Sequence, residues 1–322
     1  MGHVLALDAP AKLNLYLHVL GRRRDGYHRL DSLVVFLDLA DTLTVEPADR
    51  LTLSVAGPGA PALDELRVGT NIVLEAARLL AREAGTAPRA ALRLDKRLPV
   101  AAGLGGGSAD AAAALRLLDR LWTTRAGADD LRALGQRLGA DVPVCLAAVP
   151  TVVRGIGERL EAAPRQPPVA VVLANPRRPL ATADVFARHQ AAPRRASRPM
   201  GPVKDARALA RRLARRRNDL TWAASGLEPA IPELLAGLTT AGALLARMSG
   251  SGATCFGLFD AAAAARRASA YLSGEHPGWW VARCAIRGDR PEIRNVAVLP
   301  QRGDLASSPA RKLDIARGGQ LG

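Results

Sequence analysis

The chain has 322 residues and a formal net charge of +15, which fits a phosphate-rich ligand such as nucleic acid, nucleotide or anionic metabolite. It contains 48% hydrophobic and 23% charged residues, as in an ordinary globular protein of one large domain or two. No apolar run is long enough to span a membrane, and residues 1–14 lack the charged-then-apolar pattern expected of a secretory signal. Cys145, Cys255 and Cys284 have no CxxC spacing. These features exclude a disulfide scaffold and a membrane protein, and they predict a cytoplasmic location.

The predicted elements of the N-terminal half begin with a strand over residues 3–20, where apolar residues alternate. Shorter β runs, an amphipathic helix entered at Thr70, and one more strand come next. The runs cover residues 33–37, 42–45, 51–55 and 91–94, and the helix covers 71–83.

Helices and strands continue to alternate irregularly beyond a glycine-rich stretch. Proline-rich segments at 164–168 and 193–202 predict loops, and the first is a candidate domain boundary. From about Gln301 the chain is polar, which predicts a disordered tail over 301–322. Without a regular βαβ rhythm, the fold class is α+β. The predicted helices cover 109–122, 129–138, 204–216, 234–241 and 261–272, and the strands cover 169–173, 244–248, 254–259 and 279–286.

The glycine-rich stretch, residues 99–109, runs directly into an alanine-rich helix. Glycines allow backbone amides to turn toward a ligand, and a helix N-terminus favours anions. We therefore expect phosphate binding, although a tight-packing glycine turn would have the same composition. The Walker and Rossmann patterns are absent, because no lysine follows the glycines and Ser108 occupies the last glycine position. A loop without its own lysine needs positive charge from Mg²⁺ and from elsewhere in the chain.

Six ordered motifs resemble those of the GHMP kinase superfamily and, within it, the 4-diphosphocytidyl-2-C-methyl-D-erythritol kinase family. Three are typical of the superfamily: APAKLN at 9–14, the glycine loop at 103–109, and SGSGA at 249–253. Three further stretches are similar to the narrower family: RDGYH with LDS at 24–32, GADVP at 139–143, and TADVF at 182–186. The resemblance covers roughly residues 5–290.

The resemblance implies a two-domain GHMP-kinase-like α+β architecture. Residues 1–160 would form the ATP-binding domain with the phosphate loop, and residues 165–300 a ferredoxin-like α+β domain. The family transfers the γ-phosphoryl of ATP to the 2-hydroxyl of a cytidylyl-methylerythritol substrate in the non-mevalonate isoprenoid pathway. A small-molecule kinase using ATP and Mg²⁺ is therefore expected, as a monomer or homodimer and with no nucleic-acid partner.

Two matched residues would perform the chemistry. Asp141 would take the proton of the hydroxyl group, and Lys12 would orient and polarise the reacting groups. From the residues alone, Asp141 could equally cap a helix or turn before Pro143, and Lys12 could be a solvated edge lysine that discourages sheet pairing.

ATP would lie on the glycine loop, with the Ser108 hydroxyl helping to hold Mg²⁺. Many relatives carry a second serine where this chain has Ala109, which leaves only a backbone N–H at that position. The opposite side of the phosphates would be lined by residues 250–253. The matched nucleotide-binding residues are Pro99, Val100, Ala101, Ala102, Gly103, Leu104, Gly105, Gly106, Gly107, Ser108 and Ala109.

The cytidine end of the substrate would be bound by Tyr27, His28 and Phe186, since cytosine needs an aromatic face and a directional hydrogen-bond partner. Asn14 would contact the substrate hydroxyls. The alternatives are that Phe186 is a core aromatic, His28 a surface histidine, and Asn14 a hydrogen-bonding group of the sheet edge. Val144 and Cys145 follow GADVP where relatives carry aromatics, which thins the pocket wall.

A basic segment, residues 194–217, carries ten arginines and lysines against one acid, Asp205. Nucleic-acid binding is one interpretation, but the segment contains no aromatic residue for base stacking. An exposed arginine-rich helix and loop is the favoured interpretation. No role is carried over to it from the resemblance.

Overall fold

The computed structural model describes residues 4–65, 71–190 and 195–296. The expected tail at 301–322, Thr70 at the expected helix entrance, and Arg194 of the basic segment lie outside the described residues.

Two long antiparallel strands, β1 (Val4–Arg22) and β2 (His28–Glu46), organise the first sheet. The two β runs predicted at 33–37 and 42–45 are therefore one continuous strand. It continues through the polar residues between them because an irregularity opposite Pro10 and Lys12 absorbs the extra residues. A second bulge, between Asn14 and Tyr16, changes which face of β1 each side chain occupies.

Seven strands form this sheet, in the order β11-β1-β2-β4-β3, with β5 and β6 extending from β2. The remaining strands are β3 (Thr52–Ala56), β4 (Ala91–Asp95), β5 (Thr151–Gly155), β6 (Arg159–Ala162) and β11 (Arg294–Val296). The helices of this half are α1 (Ala60–Glu65), α2 (Ile72–Glu83), α3 (Gly106–Trp122), α4 (Ala128–Leu138) and α5 (Val142–Ala147).

Helix α3 lies in the core of the first half, where its alanines are almost fully buried and allow close packing against the sheet and α2. It begins at Gly106, three residues before the predicted start. Gly105, with φ of +64°, is the left-handed residue before the helix, so the helix begins at the next glycine.

The second sheet has four antiparallel strands in the order β10-β7-β9-β8. With helices between β7 and β8 and between β9 and β10, this is the ferredoxin-like βαββαβ arrangement that was expected. The strands are β7 (Ala170–Asn175), β8 (Leu245–Met248), β9 (Cys255–Phe259) and β10 (Trp280–Ala285). The helices are α6 (Thr182–Arg188), α7 (Ala206–Ala214), α8 (Thr221–Ser225), α9 (Ala230–Thr240) and α10 (Ala262–Glu275).

Arg247 on β8 links the two halves. It is 8% exposed, and its guanidinium donates to the carbonyl of Leu15 on β1 at 2.7 Å. The same group donates to the carbonyls of Leu213 and Arg216, at 2.9 and 2.7 Å, at the end of α7. One buried cation therefore satisfies carbonyls from β1 and from the end of α7.

None of the helices within residues 4–65, 71–190 and 195–296 combines the length and the apolar character that crossing a membrane requires.

Replacing Arg247 tests how much its hydrogen bonds contribute to the free energy of unfolding. Arg247→Met keeps the length of the stem but leaves three carbonyls without their donor, so we expect the free energy of unfolding to fall by about 2–4 kcal/mol. Urea denaturation measures the change. Arg294→Met is the control, because its ion pair with Asp8 is half exposed and contributes at most about 1 kcal/mol. Equal losses in the two variants would contradict the linking role.

Candidate active site

Lys12 and Asp141, 129 positions apart in sequence, form an ion pair with 2.9 Å between Nζ and Oδ2. Lys12 is almost completely buried, whereas the Asp141 side chain is 47% exposed. A second 2.9 Å hydrogen bond runs from the Lys12 ammonium to Asn14 Oδ1. The ammonium thus has one further proton to donate, and the carboxylate is accessible to a ligand.

The structural alternatives for these two residues do not match the geometry. Asp141 does precede helix α5, but its side chain makes no capping hydrogen bond and pairs with Lys12 instead. Lys12 is paired with Phe36 of β2, its backbone N–H on the other edge is taken by Leu104, and its side chain is almost completely buried. Neither residue is therefore explained as a cap or as an edge charge.

The glycine loop approaches β1 closely. The backbone N–H of Lys12 donates to the carbonyl of Leu104 at 2.8 Å. A Cβ at Gly105 would lie 2.9 Å from Lys12 Cε, and Gly105 has a positive φ. A side chain at Gly105 is thus excluded on both counts, and its absence brings the loop against the stem of the lysine.

The turn between β8 and β9, residues 249–254, meets the other side of the loop. Ser249 Oγ donates to the carbonyl of Gly103 at 3.2 Å, and the N–H of Thr254 donates to the carbonyl of Ala102 at 3.3 Å. A Cβ at Gly103, where φ is +74°, would lie 2.5 Å from the carbonyl oxygen of Gly252. The two glycine-rich motifs of the sequence are therefore in direct backbone contact.

The loop opens into the N-terminus of α3, where no side chain caps the first turn. The N–H groups of Gly106, Gly107 and Ser108 lack intrahelical partners, as in any first helical turn, and can bind an anion. Ala109 is buried and its N–H donates to the carbonyl of Gly105, so this amide is occupied within the helix. Residues 99–102 form the turn that precedes the loop, with Ala102 buried and Ala101 exposed.

The donor set fits Mg²⁺ held together with phosphates. Within the described parts of the chain, no cluster of three or more His, Cys, Asp or Glu side chains could hold a metal ion. Mg²⁺ bound to nucleotide phosphates needs only one or two protein ligands, and Ser108 carries a partly exposed hydroxyl in the first turn of α3. Ser108 can therefore supply a protein ligand to such an ion.

Asn14 is buried and held from several sides. Its side-chain amide donates to Ser32 Oγ at 2.8 Å, and its backbone N–H donates to Ser249 Oγ at 3.2 Å. Its Oδ1 accepts from Lys12, so the hydrogen bonds that fix Asn14 also hold the lysine in place.

The three residues expected at the cytidine end are only partly brought together. The rings of His28 and Phe186 stack, with centroids 5.1 Å apart. Burial, with His189 and Arg22 nearby, lowers the pKa of His28, so the ring is neutral at pH 7 and offers one donor and one acceptor. Tyr27 is 62% exposed in the turn between β1 and β2.

Sequence reasoning missed two groups near the site. His189 packs edge-on to His28 with 6.2 Å between centroids, and its buried Nε2 has no hydrogen-bond partner in the described residues.

Beneath the glycine loop, Lys96 is buried between the carboxylates of Asp41 and Asp110. Burial raises the pKa of Asp110 to about 7, with the charge of Lys96 opposing and that of Asp41 adding to the shift. The signal that could have flagged Lys96 is that it is one of four lysines in an arginine-dominated chain.

The basic segment packs against the C-terminal part of β1. The guanidinium of Arg216 lies over the ring of Tyr16 at 5.4 Å, and the N–H of Leu17 donates to the carbonyl of Arg217 at 3.1 Å. With His18 and Ala214, four arginines line a cavity of about 460 Å³: Arg195, Arg215, Arg216 and Arg217.

Comparisons with known proteins agree with this geometry. Residues 71–148 match the GHMP kinases N terminal domain, and residues 203–275 match the GHMP kinases C terminal domain. A crystal structure of 4-(cytidine 5'-diphospho)-2C-methyl-D-erythritol kinase superposes with a TM-score of 0.71 at 35% identity. The superposition covers 88% of this chain and 100% of that one.

Curated relatives are more similar in sequence. The 4-diphosphocytidyl-2-C-methyl-D-erythritol kinase of Paramagnetospirillum magneticum is 54% identical over 86% of this chain and 96% of its own length. The protein of the same name from Paracoccus denitrificans is 53% identical over 86% of this chain and 95% of its own length. The chain thus belongs to the 4-diphosphocytidyl-2-C-methyl-D-erythritol kinase family, within the GHMP kinases.

Proposed function

We propose that this small-molecule kinase transfers the γ-phosphoryl group of ATP to the 2-hydroxyl of 4-diphosphocytidyl-2-C-methyl-D-erythritol, a step of the non-mevalonate isoprenoid pathway. The observation that carries the proposal is the Lys12–Asp141 ion pair next to an uncapped helix N-terminus. Phosphoryl transfer needs this combination, because the enzyme must guide a hydroxyl group and neutralise charge on the moving phosphoryl. Family membership supplies the acceptor.

Asp141 and Lys12 act as a unit. The exposed carboxylate of Asp141 accepts the proton of the acceptor hydroxyl as that oxygen attacks the γ-phosphorus. Lys12, fixed by Asn14 and Asp141, directs its remaining N–H toward the attacking oxygen or the γ-phosphoryl oxygens. Because the ammonium is buried, its charge is screened less by water than a surface lysine would be.

ATP is the phosphate donor, and its phosphates lie on the glycine loop and the first turn of α3. The backbone amides there bind the phosphates, and the turn at 249–254 lines the opposite side. Mg²⁺, held by the phosphates and by Ser108, supplies neutralising charge when bound. The loop contributes no lysine of its own, and Lys12, whose side chain packs against Gly105, supplies a cation from elsewhere in the chain.

The stacked pair of His28 and Phe186 binds the cytosine end. The neutral imidazole of His28 matches a base edge that both donates and accepts. Tyr27, exposed in the turn between β1 and β2, supplies a further aromatic face for the base. Asn14 is buried and engaged with Lys12 and Ser32, so a contact with the methylerythritol hydroxyls uses its second amide N–H.

The division into domains at 1–160 and 165–300 is also part of the proposal. The end of β6 at Ala162 and the start of β7 at Ala170 support the boundary between them, whereas β11, within 165–300, pairs with β1 and belongs to the first sheet. A cytoplasmic location, a monomeric or homodimeric state and the lack of a nucleic-acid partner remain predictions.

Asp141→Asn keeps the shape of the side chain but removes the base. We expect kcat to fall about 10²- to 10⁴-fold with ATP and acceptor binding retained. Steady-state kinetics and calorimetry check this. Asp129→Asn, which alters an exposed carboxylate on α4, is the control and should leave kcat unchanged. Near-normal turnover in Asp141→Asn would remove Asp141 from the base role.

Phe186→Ala removes the stacking surface. Since base stacking contributes about 1–3 kcal/mol, the acceptor KM should rise roughly 5- to 150-fold, while the ATP KM is unchanged. Tyr271→Ala, a truncation of an exposed aromatic on α10, should change neither constant. If the acceptor KM stays at the wild-type value, Phe186 is a packing residue.

The acceptor itself is tested by ATP consumption across four compounds: the cytidylyl-methylerythritol, homoserine, mevalonate and galactose. We expect turnover with the cytidylyl compound alone and its loss in Lys12→Ala. Turnover with one of the other three instead would retain the kinase and reject this acceptor.

A further inference from the structure

A buried ionic cluster, Asp41–Lys96–Asp110, lies beneath the glycine loop and takes no part in the chemistry described above. Lys96 Nζ lies 2.5 Å from Asp41 Oδ2 and 2.7 Å from Asp110 Oδ2. All three residues are at most 3% exposed. Removing three charged groups from water costs free energy. An apolar core at this position would be about as stable, so stability alone is a weak explanation of the cluster.

The cluster joins the two ends of the glycine loop. At its entrance, Asp41 Oδ1 accepts hydrogen bonds from the backbone N–H groups of Arg97 and Leu98, at 2.6 and 2.8 Å. Its exit is the N-terminal part of α3, where Asp110 is the fifth residue. Lys96 connects the two carboxylates, so the entrance and the exit are tied through one ammonium group.

The ammonium also contacts the loop itself. A Cβ at Gly106 would lie 3.1 Å from Lys96 Nζ and 3.7 Å from Asp41 Oδ2. Gly106 is the first residue of α3, and its N–H is one of the amides free to bind phosphate. Displacing Lys96 would therefore change the position of these amides.

We propose that Lys96 is a positioning residue for ATP, which fixes the separation of the two ends of the glycine loop and hence the direction of its phosphate-binding amides. The inference rests on the proposed function in one respect, that the nucleotide phosphates bind at this loop. It assigns to Lys96 no contact with the substrate. Its effect is confined to nucleotide affinity, because the hydrogen bonds and ion pairs of the cluster in the described residues involve neither His28 nor Phe186.

The test is the affinity of Lys96→Met for ATP–Mg²⁺, measured by calorimetry without acceptor and compared with the two KM values. We expect the ATP Kd and KM to rise at least tenfold, with the acceptor KM unchanged. A merely structural lysine would lower the amount of active enzyme and the melting temperature but leave both KM values unaltered. An unchanged ATP Kd in folded Lys96→Met would thus overturn the proposal.

A second variant covers the case in which Lys96→Met does not fold, since two carboxylates then face each other. Lys96→Met/Asp110→Asn removes the excess charge, and Asp110 already has one oxygen without a partner in the described residues. The ionic link is still missing, so the ATP Kd should again rise at least tenfold. Wild-type ATP affinity in this variant would contradict the proposal.

The matched control is Arg154→Met, which leaves the fully buried Asp31 without its cation at a position away from the glycine loop. We expect a lower melting temperature and an ATP Kd within twofold of wild type. A tenfold rise in this control would overturn a specific role for Lys96.

Because the calorimetry needs no acceptor, failure of turnover with the cytidylyl compound would reject only the proposed acceptor. Failure of the wild-type protein to bind ATP–Mg²⁺ would reject both.

Discussion

The hydrogen bond from the backbone of Lys12 to the carbonyl of Leu104 fixes the relation on which the rest of the site depends. It holds the glycine loop against the strand that carries Lys12. Gly105 must then lack a side chain, α3 begins directly beyond it, and Asp141, just before α5, pairs with the lysine. A backbone contact is well suited to this, because proline at position 12 is the one change of side chain that removes the donating N–H.

The assembly of the site could be predicted from the sequence because its motifs are local and ordered. The glycine-loop and SGSGA stretches have the composition of turns, APAKLN lies within β1, and the structure brings all three into contact. The α+β class and the ferredoxin-like second sheet were also predicted correctly. Helix ends were less accurate, since the start of α3 depends on a positive φ at Gly105 and not on helix propensity.

Features set by long-range pairing could not be predicted. The strand β2 contains polar residues such as Asp38 and Asp41 at its middle, and alternation alone divides it into two short runs. Lys96 follows Asp95 and precedes Arg97, a pattern typical of a solvated charge run. Only the fold shows that Asp41 and Asp110 surround it, because those carboxylates come from 55 residues before it and 14 residues after it.

The contact between Gly103 and the turn at 249–254 spans 146 positions of sequence, from Ser249 back to the loop. During synthesis, the ribosome therefore releases Lys12, the glycine loop and Asp141 long before the turn at 249–254 exists. A nascent chain of this protein has the Lys12–Asp141 pair before it has the turn that covers the other side of the loop. The cleft between the loop and the turn is complete only when most of the polypeptide has emerged and the ferredoxin-like sheet has formed.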